Sequence, residues 1–139
     1  MRIGFVCKEG VRACVAEAVT RKLLENLGTR VEVFSAGLEP RKELPPLLLE
    51  LLKEKGYPVR GLYPKPLKKI PYKKLDVLVV LDNEIKDKVE FVSSHKRRET
   101  LHVDKPAAET RPELERLIST LERELKLLFG FEKPERKGA

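Results

Sequence analysis

The chain has 139 residues, 41% of them hydrophobic, and a formal net charge of +7, values that suit one domain with a single core and exclude a chain that is disordered throughout. It contains no apolar run long enough for a transmembrane helix and opens without a signal-peptide pattern, so we expect a cytoplasmic protein with no membrane partner. Its two cysteines exclude a disulfide framework and a cysteine-rich metal cluster, and we expect neither a bound metal nor a cofactor.

Hydrophobic periodicity and turn residues predict four strands and four helices that alternate along the chain. The strands are predicted at residues 2–6, 30–34, 75–81 and 99–103. The helices are predicted at residues 11–27, 47–55, about 83–91 and 111–129, with Gly28 ending the first of them. This alternation predicts an α/β fold: a flavodoxin-like, doubly wound, four-stranded parallel sheet of order 2-1-3-4 with helices on both faces. Ligands bind such sheets at the carboxyl ends of the strands, beside the first strand.

The segment between the first strand and the first helix carries the strongest chemical signal. A loop that joins a strand to a helix N-terminus gathers backbone N–H groups and the positive end of the helix dipole at one point, which favours an anion. Cys7 ends the strand, so its thiolate would be stabilised there and would be nucleophilic. Arg12 follows after four intervening residues and can hold an oxyanion with two hydrogen bonds.

Three short motifs resemble those of the low-molecular-weight protein tyrosine phosphatases and the related arsenate reductases. They are Phe-Val-Cys at residues 5–7, Ala-Glu-Ala at residues 16–18 and Ser-Ala-Gly at residues 35–37. The resemblance implies a phosphatase-like domain at residues 1–131, followed by a charged tail at residues 132–139. The loop from Cys7 to Arg12 is one residue shorter than the family's, and Ala13 replaces a hydroxyl residue, so we predict a divergent member.

This resemblance also implies roles for individual residues. Cys7 would be the nucleophile that forms a cysteinyl-phosphate, Arg12 the oxyanion clamp, and Asp104, in the turn after the fourth strand, the general acid. The phosphate-binding residues would be Lys8, Glu9, Gly10, Val11, Arg12 and Ser35. The family's aromatic residues that stack on phosphotyrosine are missing, since Ala107 and Ala108 follow the turn.

We therefore predict a divergent phosphatase that hydrolyses phosphate monoesters or takes another oxyanion substrate. Two alternatives stay open: a catalytically inactive module of the same fold that binds an anion or a phosphoprotein, and an arsenate reductase that uses an external thiol. Thioredoxin-linked reductases of this family need two further cysteines on a later helix, which this chain lacks. Cys7 and Cys14 could form a redox-active disulfide, although a buried packing role also suits Cys14.

The positive charge is concentrated in two basic segments. Their basic residues are Lys65, Lys68, Lys69, Lys73, Lys74, Lys96, Arg97 and Arg98. We interpret them as solvated surface of the kind found in thermophile proteins, which the absence of glutamine also suggests. The alternative is attraction of an anionic partner such as a phosphoprotein. Aromatic residues make up only 6% of the chain and do not alternate with the basic ones, which disfavours a nucleic-acid partner.

Overall fold

The computed structural model describes residues 1–27 and 30–131. Its sheet consists of β1 (Arg2–Cys7), β2 (Glu32–Gly37), β3 (Val77–Val80) and β4 (Arg97–Thr100). Neighbouring strands pair in parallel and their spatial order is β2-β1-β3-β4. The predicted flavodoxin-like sheet of order 2-1-3-4 is therefore confirmed.

Helices cover both faces of this sheet, but they differ in kind. The α-helices are α1 (Val11–Leu24), α2 (Pro46–Glu54) and α3 (Arg111–Leu128), and their apolar residues share one core. Short 3-10 helices at Leu67–Lys69, Tyr72–Lys74 and Asn83–Ile85 lie along the chain that covers the opposite face, over a smaller core.

Successive residues of β1 alternate between the two cores, as strand geometry requires. Phe5 and Cys7 lie in the core beneath the α-helices, whereas Val6 lies in the smaller core on the other face. All three are fully buried. Because β1 has a partner strand on each side, the end of this strand lies at the centre of the sheet edge where ligands bind.

The prediction of an α-helix at about residues 83–91 is wrong. Only Asn83–Ile85 is helical, as a 3-10 helix, and turns follow it. The guanidinium of Arg98 donates hydrogen bonds to the backbone carbonyls of Lys86 and Val89, which an α-helix would use as acceptors for later amides. Ile85 and Val89 still pack against the sheet, so the segment contributes apolar side chains to the smaller core without forming an α-helix.

The ends of several elements differ from the predicted ones by a few residues. α1 ends at Leu24 rather than at residue 27, and the predicted stop at Gly28 lies outside the described residues. The predicted charged tail at residues 132–139 also lies outside them, so the domain boundary at residue 131 stays a prediction. In the part of the chain that the structure describes, no helix combines the length and the apolar character needed to cross a membrane.

Candidate active site

Two glycines allow a tight loop between β1 and α1. Gly10 lies immediately before α1 with a φ of 84°, a left-handed conformation that residues with a side chain disfavour. Gly37, the last residue of β2, packs directly against it, and a Cβ atom on Gly37 would lie 2.6 Å from the Gly10 nitrogen. A side chain at either position would therefore displace the loop that connects Cys7 with Arg12.

Backbone hydrogen bonds hold this loop against the segment that follows β2. The carbonyls of residues 7, 8 and 9 accept hydrogen bonds from the amides of residues 38, 39 and 41 at 3.1, 2.8 and 3.1 Å. On the other side of the loop, the N–H of Gly10 donates to the Cys7 sulfur at 3.1 Å. The N–H of Arg12 donates to a Glu9 carboxylate oxygen at 3.3 Å. The loop thus turns these two N–H groups inward, toward the end of β1.

The Cys7 thiol is fully buried and stays protonated at neutral pH. Burial and the nearby charge of Glu9 raise the pKa of Cys7 to about 12. The N–H groups of Ala13 and Gly10 and the charge of Arg12 lower it, but by less. A nucleophilic cysteine needs the opposite balance, since the thiolate is the reactive form. In this conformation Cys7 is therefore a weak nucleophile.

Arg12 lies in the first turn of α1 with 2% of its surface exposed, and its guanidinium is nearly saturated with protein acceptors. Its Nε and Nη2 atoms donate to the two carboxylate oxygens of Glu9 at 3.0 and 2.8 Å. Nη2 also donates to Oδ2 of Asp82 at 2.8 Å, and Nη1 donates to the Val103 carbonyl at 2.6 Å. Burial alone would lower the pKa of Arg12, but the two carboxylates outweigh it and raise the pKa further, so the side chain is charged.

The Glu9 carboxylate lies between the other two loop side chains. Besides its two bonds from the Arg12 guanidinium, it accepts the N–H of Arg12, and its Oε1 atom lies 3.6 Å from the Cys7 sulfur. Burial opposes its ionisation, but the hydrogen bonds and the charge of Arg12 have the larger effect and lower the pKa of Glu9 to about 2. Together with Asp82, it places two negative charges against one guanidinium.

Asp82 belongs to this site, although it is not among the predicted site residues. It lies two residues after the end of β3, its side chain is 4% exposed, and its second oxygen accepts the N–H of Glu84 at 3.1 Å. A signal for it was present in the sequence. A lone carboxylate that directly follows a buried strand lies at the same sheet edge as Cys7, because the strands are parallel and β3 neighbours β1.

Ser35 was predicted to bind phosphate, but its hydroxyl contacts Glu17 and Cys14 of α1. It donates to Oε1 of the buried Glu17 at 2.6 Å and lies 3.7 Å from the Cys14 sulfur. Lys65 completes this cluster, with its Nζ atom 4.0 Å from Glu17 and 3.5 Å from the Ser35 carbonyl. Lys65, which was predicted to be solvated, is therefore buried in a polar network.

Cys14 is buried beside this network, with its thiol free in the structure, as is that of Cys7. Burial raises the pKa of Cys14 to about 11. Both cysteines are thus protonated and unreactive in this state, and a pairing between them stays a prediction.

Asp104 is the residue after Val103, which contacts the clamp Arg12, but its own side chain faces solvent. Its side chain is 92% exposed and accepts a hydrogen bond from Nε2 of His102 at 2.8 Å. The neighbouring Val103 supplies the carbonyl that binds Arg12. A cavity of about 360 Å³ opens beside this turn, lined by His102, Asp104 and residues of α3 such as Arg116.

The side chains of the remaining predicted loop residues point away from the clamp. The Lys8 side chain is exposed, and Val11 belongs to the core beneath the α-helices. Within residues 1–27 and 30–131, no group of three or more His, Cys, Asp or Glu side chains is placed to hold a metal ion.

A comparison with protein-family models returns one family for this chain. The model described as low molecular weight phosphotyrosine protein phosphatase matches residues 2–137, nearly the whole sequence. No curated protein sequence matches the chain significantly.

Solved structures with the same fold include both phosphatases and arsenate reductases. The arginine phosphatase YwlE with a phosphorylated active-site serine has a TM-score of 0.76 and 23% identity, with 99% of each chain covered. A low molecular weight protein tyrosine phosphatase from Bacillus subtilis has a TM-score of 0.74 and 24% identity, with 94% of this chain and 95% of the other covered. A thioredoxin-dependent arsenate reductase from Corynebacterium glutamicum has a TM-score of 0.75 and 23% identity, and the match covers 94% of this chain and 60% of that one. At these identities the likeness shows the fold alone.

Proposed function

This chain belongs to the low molecular weight phosphotyrosine protein phosphatase family, and from that premise we propose that it is a divergent phosphatase that hydrolyses phosphate monoesters through Cys7. The observation that carries the proposal is the convergence of one thiol, inward N–H groups and one arginine at the end of β1. Gly10 donates to the Cys7 sulfur at 3.1 Å, and the Arg12 fork holds two oxygens of a carboxylate beside that sulfur. A phosphoryl group offers oxygens in a similar spacing.

The proposed reaction has two steps. Cys7 loses its proton to solvent, and its sulfur attacks phosphorus while the bond from phosphorus to the ester oxygen breaks. Asp104 gives its proton to the departing oxygen. Water then attacks the cysteinyl-phosphate, phosphate leaves, the thiolate is restored, and Asp104 takes up the proton from that water. Arg12 stabilises the charge on the phosphoryl oxygens in both steps.

The proposed acid is supported by its place in the chain. Asp104 follows Val103, whose carbonyl is bound to Arg12, so the turn that carries the acid is attached to the clamp. Its exposed side chain has the freedom to reach a leaving group that enters from solvent.

A second candidate, an inactive anion-binding module of the same fold, is favoured by a specific observation. The Cys7 pKa of about 12, raised by burial and by Glu9, leaves little thiolate at neutral pH. Such a protein would retain the fold and the clamp without turnover.

Hydrolysis of a small aryl phosphate, at elevated temperature under reducing conditions, tests the proposal. We expect slow turnover by the wild type, none by Cys7→Ser, and unchanged turnover by Cys14→Ser, which removes the other thiol. Asp104→Asn is expected to slow substrates with poor leaving groups by about 100-fold or more and activated ones far less. Acid quenching during turnover should trap a phosphoryl group on Cys7, detectable by mass spectrometry.

Absence of turnover from a folded wild type would overturn the phosphatase proposal. Inorganic phosphate that still binds to that protein, and binds less tightly to Arg12→Ala, would then identify the inactive module. The arsenate reductase alternative is tested by incubating the protein with arsenate and a thiol reductant and measuring the arsenite that is released.

A further inference from the structure

We infer that the Glu9 carboxylate is an internal oxyanion that occupies the Cys7–Arg12 loop and competes with any external anion for it. The inference rests on the proposed function in one respect, because it takes this loop to be the anion site. Glu9, a residue of the loop itself, then controls whether the site is open and which anions can enter.

The contacts of Glu9 are those that a bound oxyanion would make. Its two oxygens accept a forked pair of hydrogen bonds from Nε and Nη2 of Arg12, at 3.0 and 2.8 Å. One of the oxygens also accepts the Arg12 N–H at the start of α1, where the helix dipole favours negative charge. That oxygen lies 3.6 Å from the sulfur of Cys7, so the carboxylate is next to the proposed nucleophile.

An external anion cannot use this clamp while Glu9 holds it. Arg12 directs Nε to Glu9, Nη1 to the Val103 carbonyl, and Nη2 to Glu9 and Asp82. The guanidinium has five N–H donors, and four are engaged. The two carboxylates also exceed the charge of the single guanidinium, and a phosphate dianion beside them would be repelled.

Glu9, rather than Asp82, is the carboxylate that can leave. The Asp82 side chain is 4% exposed and is anchored at the end of β3 by a second hydrogen bond, from the N–H of Glu84. The Glu9 side chain is 12% exposed and belongs to a loop whose preceding residue, Lys8, faces solvent. Rotation of Glu9 toward solvent would free a fork of donors while Asp82 keeps Arg12 in place.

Competition with the Glu9 carboxylate determines which class of anion can bind in the loop. A free monocarboxylate could accept only the two hydrogen bonds that Glu9 already accepts from Arg12. Because Glu9 is part of the same molecule, it outcompetes free carboxylates for the site. A tetrahedral dianion brings an additional charge and additional oxygens, which the N–H groups of the loop can bind. The site should therefore admit phosphate and its analogues in preference to carboxylates, at reduced affinity.

If Glu9 only capped α1, replacing it would leave the affinity for phosphate unchanged. Titration calorimetry with inorganic phosphate separates the two roles when wild type is compared with Glu9→Gln and Glu39→Gln. Glu39 is a matched control, because its amide binds the Lys8 carbonyl at 2.8 Å while its side chain is exposed. Both variants remove one negative charge beside the same loop.

We expect Glu9→Gln to bind phosphate about tenfold more tightly than the wild type or more, and Glu39→Gln to stay within about twofold. Equal phosphate affinity in wild type and Glu9→Gln would overturn the inference while leaving the anion site intact. An equal gain in Glu39→Gln would also overturn it, because the effect would then be general electrostatics. If neither wild type nor Glu9→Gln binds phosphate, the proposed function and the inference fail together.

If the Glu9→Gln variant does not fold, a measurement on the wild type alone still tests the inference. Carbon-13 NMR of the side-chain carboxyl carbons during a phosphate titration follows Glu9 directly. A Glu9 resonance that moves toward the value of an exposed glutamate, with a midpoint equal to the phosphate dissociation constant, supports displacement. A resonance that does not move while phosphate binds contradicts it.

Discussion

Arg12 and Asp82 form a buried ion pair across 70 residues of sequence, with Nη2 of Arg12 2.8 Å from Oδ2 of Asp82. The two side chains are 2% and 4% exposed. The pair joins the first turn of α1 to the carboxyl end of β3, so it fixes the position of the clamp relative to the sheet. Its loss should therefore affect both folding and the site.

Asp82→Ala is expected to lower the free energy of unfolding by about 3 kcal/mol, because removing one partner of a buried pair leaves a charge that is only partly compensated. Glu9 still binds Arg12, which keeps the loss at the low end of the usual range. Guanidinium chloride unfolding followed by circular dichroism measures it. Asp87→Ala, at an exposed aspartate five residues later, should change stability by less than about 0.5 kcal/mol. Comparable losses in both variants would contradict a special role for the pair.

Cys7 should resist alkylation in the native protein. Burial and the charge of Glu9 raise its pKa to about 12, so at about pH 8 iodoacetamide should label it at least about 100-fold more slowly than in the unfolded chain. Glu9→Gln should accelerate labelling of Cys7 but not of Cys14, whose pKa is raised mainly by burial. Peptide mass spectrometry reports both sites in one sample. Labelling of native Cys7 at the unfolded rate would show that the thiol is neither buried nor protonated.

Glu9 should make the protein sensitive to acid. Its pKa of about 2 in the folded state, lowered against the effect of burial by Arg12, lies below the ordinary value of 4.5, so folding favours the ionised form. The resulting stabilisation is present above about pH 4.5 and is lost as the pH falls toward about 2. Between those values the wild type should lose about 2–3 kcal/mol more than Glu9→Gln in urea unfolding.

Glu39→Gln should follow the wild-type curve in the same acid series, because its side chain is exposed. A parallel decline in wild type and Glu9→Gln would mean that Glu9 is ionised equally in the folded and unfolded states.

Gly37→Ala should destabilise the protein by moving the active-site loop. The added Cβ atom would meet backbone atoms of the loop, with the Gly10 nitrogen at 2.6 Å, and backbone cannot yield as a flexible side chain does. Gly61→Ala is a control for strain without a clash, since Gly61 has a φ of 72° and a Cβ atom added there would have no heavy atom of another segment within 4 Å. That control should cost about 1 kcal/mol, and Gly37→Ala about 2 kcal/mol or more. Thermal unfolding measures both, and a smaller loss in Gly37→Ala would contradict the close approach.

Much of the site could be predicted because it depends on short-range order. Cys7 and Arg12 lie on either side of a strand-to-helix connection, and local periodicity was enough to predict both elements. The direction of the Glu9 side chain could not be predicted in this way. An acidic residue in a loop that gathers N–H groups was expected to contribute to phosphate binding, whereas its own carboxylate turns inward because Arg12 is there to bind it.

The segment after β3 shows the same limit. Its composition allowed an α-helix, and nothing in residues 83–91 alone indicates that Arg98, from the next strand, takes two of the carbonyls that the helix would need.

The residues alone were enough to predict four strands, three of the four helices, the order of the sheet and the position of one thiol and one arginine at its central edge, because these follow from periodicity and from the handedness of crossover connections. The state of that site, in contrast, depends on long-range packing. Burial of Cys7, the pairing of Arg12 with Asp82 in the segment after β3, and the occupation of the clamp by Glu9 depend on how segments far apart in the chain pack around the loop. In a medium of low polarity those contacts, and not residue identity, determine which groups are charged and which are free.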